Sequence, residues 1–143
     1  MIRYPFAFAL VTAATALSAE DIKVFDAYVP QSPPGSMSQA AYMQLENTAD
    51  KTRSIIGVEA TGYGMAHLHS SETKDGVATM SMVQQLDIAP GQKVSLEPGG
   101  LHIMLMQSET MAQVGETVGL KLLFANGDTL NVPAEVISLK SGS

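Results

Sequence analysis

The nine residues from Gly99 to Gln107, "GGLHIMLMQ", have the alternating pattern of a β-strand. Successive side chains of a strand point to opposite faces of a sheet, so the three aliphatic residues of this stretch share one face. That face is typical of a hydrophobic core. His102, Met104 and Met106 share the other face, where charged or hydroxyl side chains are usual. The stretch therefore predicts a sheet whose second face carries imidazole and thioether groups.

Short β-rich runs occur throughout the chain and are separated by turns rich in Gly, Pro, Asn and Asp. The candidate strands are residues 22–29, 40–46, 53–60, 65–71, 77–83, 93–96, 102–106, 117–124 and 129–137. The chain after residue 19 shows no sustained helical periodicity. This pattern predicts an all-β fold, either an antiparallel sandwich or a barrel.

Two turns predict β-hairpins. Asn126-Gly127 and Asp75-Gly76 each lie between two candidate strands, and both dipeptides favour the two-residue turns of hairpins. A two-residue loop at the second turn places His69 opposite Met82 and diagonal to Met80. The diagonal Cα atoms are then roughly 7–8 Å apart, so imidazole and thioether could converge on one ion.

Composition limits the classes of function. The chain has 143 residues, which fits one domain, and its formal net charge is −6. An acidic protein is a poor match for nucleic acid or an anionic membrane surface, because both attract basic residues. The chain has no cysteine, which excludes disulfides, zinc–thiolate sites, thiol nucleophiles and blue-copper centres.

Residues 1–19 have the plan of a secretory signal peptide. Arg3 precedes an uncharged apolar run over residues 6–17, which is shorter than the roughly 20 residues of a membrane-spanning helix. Ala16 and Ala19 both offer cleavage sites, and cleavage after Ala16 fits the A-x-A pattern better. No cysteine follows to carry a lipid. We therefore expect a periplasmic protein with a single domain over residues 20–143 and no membrane insertion of the mature chain.

The predicted chemistry depends on the histidines that lie near methionines. A single histidine or methionine on a strand is more often a packing residue than a metal ligand. Here two separate segments each place a histidine near methionines: His69 in one and His102 in the other. Thioether and imidazole together favour Cu(I) over hard cations. In an oxidising compartment methionine has a further advantage, because its sulfur cannot close into a disulfide.

The spacing of these residues resembles the signature of the exported PCu(A)C-type copper chaperones. In that signature a histidine is followed after ten residues by a methionine, and after twenty-one more by histidine-any-methionine. His69, Met80, His102 and Met104 match all four positions. The resemblance extends over nearly all of the chain after the predicted leader. It includes three further segments: "AYVPQSPPGSMSQAAYMQLEN", "LEPGGLHIML" and "GETVGLKLLFANGDTLNVPAEV".

The resemblance implies a cupredoxin-like, Greek-key β-sandwich that binds Cu(I) through those two imidazoles and two thioethers. It also implies delivery of copper to a periplasmic or membrane-anchored recipient, such as the binuclear copper site of cytochrome c oxidase or its assembly factors. The turn that presents the second pair of ligands would be shaped by Pro98, Gly99 and Gly100. Three further donors share faces with the ligands: His67, Met82 and Met106. They could support the ligands from outside, substitute for them or simply pack, and we favour packing or contact with a partner.

Two other classes of function stay open at this point. The first is an exported adhesion or assembly module whose methionine and histidine face is merely buried. The second is a copper enzyme, which needs an acid–base constellation near the metal. Glu72 and Asp75 lie near the predicted hairpin tip but are typical of solvated turn residues. The sequence therefore favours a non-enzymatic copper carrier.

Overall fold

A computed structural model describes residues 19–108 and 110–138. The predicted leader lies outside the described residues, except for Ala19. Ten strands form the described part, which contains no helix: β1 (Ile22–Pro30), β2 (Ser38–Asn47), β3 (Arg53–Ala60), β4 (Met65–Lys74), β5 (Val77–Met82), β6 (Leu86–Ile88), β7 (Lys93–Leu96), β8 (Leu101–Met106), β9 (Thr117–Phe124) and β10 (Thr129–Ile137). The predicted all-β fold is confirmed. The described residues include no helix that could cross a membrane.

All nine predicted strands are present, four of them with the predicted bounds. The sequence prediction missed β6. This strand has only three residues, Leu86–Ile88, and pairs with the start of β3. Three residues are too few to show an alternating pattern, so its strand character depends on its partner.

The strands form one sheet in the order β5-β4-β8-β7-β2-β1-β10-β9-β3-β6, with an additional pairing of β8 with β2. Most neighbours are antiparallel, as predicted. Two pairs are parallel instead: β1 with β10, and β7 with β8 at the single pair Leu96 and Leu101. The pair of β1 with β10 joins strands from opposite ends of the domain. Turn residues predict only pairs that are close in sequence, so they could not predict this one.

The sheet folds over on itself, so that β3 near one edge contacts β4 near the other. The enclosed core includes Met43 and Leu45 of β2, Ile103 and Leu105 of β8, and Phe124 of β9. Burying each such side chain contributes about 1.5–3 kcal/mol. The inward aliphatic residues of β8 are thus the core face that the alternating pattern predicted.

Both predicted hairpins form, with different turns. At Asp75-Gly76 the loop has two residues, both with positive φ (53° and 77°), as a type I′ turn requires. The predicted pairing of His69 with Met82 is confirmed. At the second hairpin the loop has three residues, 125–127, and Gly127 alone has positive φ (92°). The hairpin predicted at Asn126-Gly127 is therefore confirmed, with a loop one residue longer than that at Asp75-Gly76.

An ion-pair cluster around the buried Arg53 holds Asp21, which lies just before β1, to the rest of the domain. The Arg53 guanidinium donates to Asp21 at 2.6 Å and to Asp128 at 2.7 Å, and it lies 4.9 Å from the Phe124 ring centroid. Ala19 is only 1% exposed, and its backbone N–H donates to the Thr129 carbonyl. The last residue of the predicted leader is thus part of the folded domain.

Candidate metal centre

The outward face of β4, β5 and β8 carries a cluster of soft donors. Strand pairing places His69 of β4 directly opposite His102 of β8 on one side and opposite Met82 of β5 on the other. Directly paired residues share a face, and so do residues two apart on one strand. This face, called the donor face below, therefore carries eight imidazole or thioether side chains: Met65, His67, His69, Met80, Met82, His102, Met104 and Met106.

The two predicted imidazole ligands are neighbours. The ring centroids of His69 and His102 are 5.8 Å apart, with the ring planes inclined by 59°. Rings at this separation could direct nitrogen atoms to a common point. They come from segments 33 residues apart in sequence, and the pairing of β4 with β8 brings them together.

His102 is held in one orientation. Its Nδ1 lies 3.1 Å from the Gly100 carbonyl oxygen, and a carbonyl can only accept a hydrogen bond. Nδ1 therefore donates to this carbonyl, which leaves Nε2 as the nitrogen that can bind a metal ion. A backbone carbonyl commonly fixes the tautomer of a metal-binding histidine in this way. His102 is only 4% exposed, so packing and this hydrogen bond together restrict its orientation.

His69 has an unsatisfied buried nitrogen. Within the described part of the chain its Nδ1 is buried and has no hydrogen-bond partner. The pKa of His69 is lowered by burial and then by the nearby imidazoles of His102 and His67. The ring therefore stays neutral at neutral pH. A buried imidazole nitrogen without a partner, beside a second imidazole, fits a soft metal ion.

The thioethers of β5 are accessible. Met80 and Met82 are each 53% exposed on the edge strand of the sheet. Met82 is paired with His69, whereas Met80 is paired with Ser71 and is diagonal to His69. The structure thus brings both methionines beside His69, on the side opposite His102. An adhesion or assembly module would have these side chains buried. The exposure of Met80 and Met82 therefore argues against that function.

Met104 lies on the other side of the imidazole pair. It is two residues from His102 on β8 and is paired with His67 of β4. The rings of His67 and His69 stack with centroids 6.2 Å apart. All four predicted ligands therefore lie on adjacent strands and on one face, with His67 as an additional neighbour.

Two aromatic side chains that the sequence did not indicate form one side of the site. The His102 ring packs against Tyr42 of β2 at a centroid distance of 6.4 Å, and Tyr42 packs against Tyr28 of β1 at 5.4 Å. Burial and then the neighbouring Tyr28 hydroxyl raise the pKa of Tyr42. These aromatic rings form the side of the site that adjoins β2 and β1. No local signal could identify them, because they come from strands paired through the sheet.

The turn before β8 contains two glycines, Gly99 and Gly100, and each has a different role in positioning His102. Gly99 has φ of +83°, and the Gly100 N–H donates to the Glu97 carbonyl, as in a type II turn. Glycine is therefore required at Gly99 by its backbone conformation. A Cβ at Gly100 would meet only Glu97, at 3.6 Å, so the predicted tight approach does not apply there. The Gly100 carbonyl instead accepts from both His102 and the Ser71 N–H.

Hard-metal chemistry lacks support in the described residues. Residues 19–108 and 110–138 contain no group of three histidine, aspartate or glutamate side chains that could hold a metal. Glu72 and Asp75 are exposed at the hairpin, as predicted. The donors that do converge are imidazoles and thioethers, a set suited to Cu(I).

Comparison with known proteins places the chain in a family. The family model described as "Putative lipoprotein LpqE-like" matches residues 22–136. The chain belongs to the LpqE-like family. A relative from Leifsonia xyli subsp. xyli, named "Putative lipoprotein Lxx21020", is 31% identical over 119 residues, which are 82% of this chain and 70% of the relative. Lipoproteins are exported proteins, so this membership supports the predicted export.

Solved structures share the fold of this family member. Apo-DR1885 from Deinococcus radiodurans is 31% identical, with a TM-score of 0.65 over all of this chain and 97% of that one. The Cu(I) form of DR1885 is 33% identical, with a TM-score of 0.64 over 90% of this chain and 85% of that one. A copper-bound PCuAC domain from PmoF2 is 22% identical, with a TM-score of 0.69 over 83% of this chain and 94% of that one. The predicted cupredoxin-like fold is confirmed by these similarities.

Proposed function

We propose that this protein is a periplasmic copper carrier that binds one Cu(I) at the donor face through two imidazoles and two thioethers: His69, Met80, His102 and Met104. The observation that carries the proposal is the directly opposed pair of His69 and His102, flanked by thioethers on both sides. The Cu(I) form of a relative 33% identical to this chain supports the choice of metal.

The four donors differ in how firmly they are held, which suits a carrier. His102 is buried and hydrogen-bonded to Gly100, so it would be the last ligand to release the ion. Met80 is half exposed on an edge strand, so it would be the first. Thioether sulfur carries no proton, and its departure therefore needs no proton transfer. A recipient could approach along β5 and replace Met80 while the imidazoles still hold copper.

The proposed recipient is a periplasmic or membrane-anchored copper protein, such as the binuclear copper site of cytochrome c oxidase or one of its assembly factors. The test mixes the Cu(I)-loaded protein with the apo form of the soluble copper domain of that oxidase and follows loading of the recipient over time. A chelator that buffers Cu(I) at the same free concentration is the control. We expect faster transfer from the protein than from the chelator. Equal rates would contradict direct delivery.

The proposal includes no enzymatic activity. Catalysis at copper would need a positioned acid or base beside the metal. In the described residues, the donor face carries imidazoles and thioethers, and Tyr42 of the neighbouring β2 packs against His102. A carrier needs only ligands that can be exchanged, and the face provides those.

A further inference from the structure

The donor face continues beyond the four proposed ligands. One step along β4 and β8 from the His69–His102 pair, His67 is paired with Met104. One step further, Met65 is paired with Met106. The two strands therefore carry a second block of soft donors, contiguous with the first. It lies on the side away from Met80.

Packing does not account for this block. Its side chains point away from the core, to which the intervening Leu68, Ile103 and Leu105 belong. Met65 is 37% exposed. On the other side of β8, the partners of Met104 and Met106 are the small residues Ala40 and Ser38, and both methionines are partly exposed, as is His67. Outward strand positions that reach solvent usually carry polar side chains, so four adjacent soft donors there need another explanation.

We propose that Met65, His67 and Met106 form a second Cu(I) position, next to the first one along β4 and β8. This proposal extends the proposed function and rests on it, because the first position lies on the same donor face. Three soft donors on two paired strands match the chemistry of the first position. The second position therefore takes the same kind of ion as the first.

The two positions should bind with different affinities. The His67 and His69 rings are 6.2 Å apart, so two bound cations would be separated by a similar distance. Repulsion between unit charges at that distance, at an effective dielectric constant of 20, weakens the second binding step by on the order of 100-fold. The second position also has no buried, hydrogen-bonded imidazole like His102. We therefore expect stepwise filling, first position before second.

The experiment is an anaerobic Cu(I) titration of the purified protein with ¹³C-labelled methionine methyl groups, followed by NMR. Cu(I) is diamagnetic, so each methyl reports on its own sulfur. We expect the Met80 and Met104 methyls to shift with the first equivalent and the Met65 and Met106 methyls to shift only with the second. The Met37 methyl, 88% exposed outside the sheet strands, should not shift.

Variants separate the two positions. Combining Met65→Leu with Met106→Leu should abolish the second step and leave the first unchanged, whereas Met37→Leu should leave both steps intact. His67→Phe keeps a ring of similar shape without a donor and should also abolish the second step. If the first equivalent shifts its methyls but Met65 and Met106 never respond, the second position is wrong and the carrier proposal stands. If no methyl responds to the first equivalent, both proposals fail.

Discussion

His69 and His102 face each other across β4 and β8 with ring centroids 5.8 Å apart. Antiparallel pairing fixes their relative position, and the Gly100 carbonyl fixes the orientation of one ring. Ligands that are already in place lose little conformational entropy on binding. The donor face is thus organised by the sheet itself, whereas the thioethers around it remain accessible.

The two β5 methionines allow a matched test of ligand choice. Met80 and Met82 share a strand, a face and the same exposed fraction, but only Met80 has the spacing of the family signature. Losing an outer partner of a metal site typically costs about 10–100-fold in affinity, so losing a direct ligand should cost at least that much. We expect Met80→Leu to weaken Cu(I) affinity by tenfold or more and Met82→Leu to change it little. A chelator competition assay measures both, and the reverse order would assign Met82 as the ligand.

The burial of Ala19 leads to a prediction about where the leader is cleaved. Because Ala19 is buried and hydrogen-bonded to β10, cleavage after Ala19 would remove a residue of the folded domain. Cleavage after Ala16 keeps it. Mass spectrometry of the exported protein should therefore find residue 17 at the mature N-terminus. A mature chain that begins at Glu20 would contradict this prediction.

The glycines of the turn before β8 predict different effects of the same substitution. An alanine at Gly99 must adopt a left-handed conformation, which costs about 1–2 kcal/mol. Alanine at Gly100 meets only an ordinary contact with Glu97. Urea denaturation should therefore show a lower unfolding free energy for Gly99→Ala and little change for Gly100→Ala. Equal losses in the two variants would contradict the conformational explanation.

The lowered pKa of Asp128 implies that part of the unfolding free energy is lost in acid. The Asn126 side chain and then the Arg53 guanidinium lower the pKa of Asp128 below its usual value of 3.8. A depressed carboxyl pKa stabilises the fold above the unfolded pKa and loses that contribution as pH falls through the folded pKa. We expect the unfolding free energy of the wild type to fall below about pH 4 more steeply than that of Asp128→Asn. Parallel curves from pH 5 to pH 2 would contradict a role for this carboxylate.

Much of the site could be predicted from local sequence. The alternation in "LHIMLM" separates the core face of β8 from the donor face, and Asp75-Gly76 sets the pairing of His69 with Met82 through its type I′ turn. Both signals act within a few residues. For the same reason the predicted bounds of β3, β7, β9 and β10 agree with the structure.

The features that sequence could not provide are non-local. Tyr42 reaches His102 only because β2 pairs along β8, and the direct pairing of His69 with His102 depends on how β4 meets β8. The parallel pairing of β1 with β10 joins the two ends of the domain. Such contacts depend on how the whole sheet closes, which short motifs do not encode.

X-ray absorption at the copper edge identifies the metal's neighbours in the protein loaded with one equivalent of Cu(I). It distinguishes sulfur from nitrogen neighbours and recognises imidazole rings bound to the metal. We expect two imidazole nitrogens and two sulfurs around each copper, with one sulfur lost in Met80→Leu. A coordination shell of nitrogen and oxygen alone, or one unchanged in that variant, would contradict this expectation.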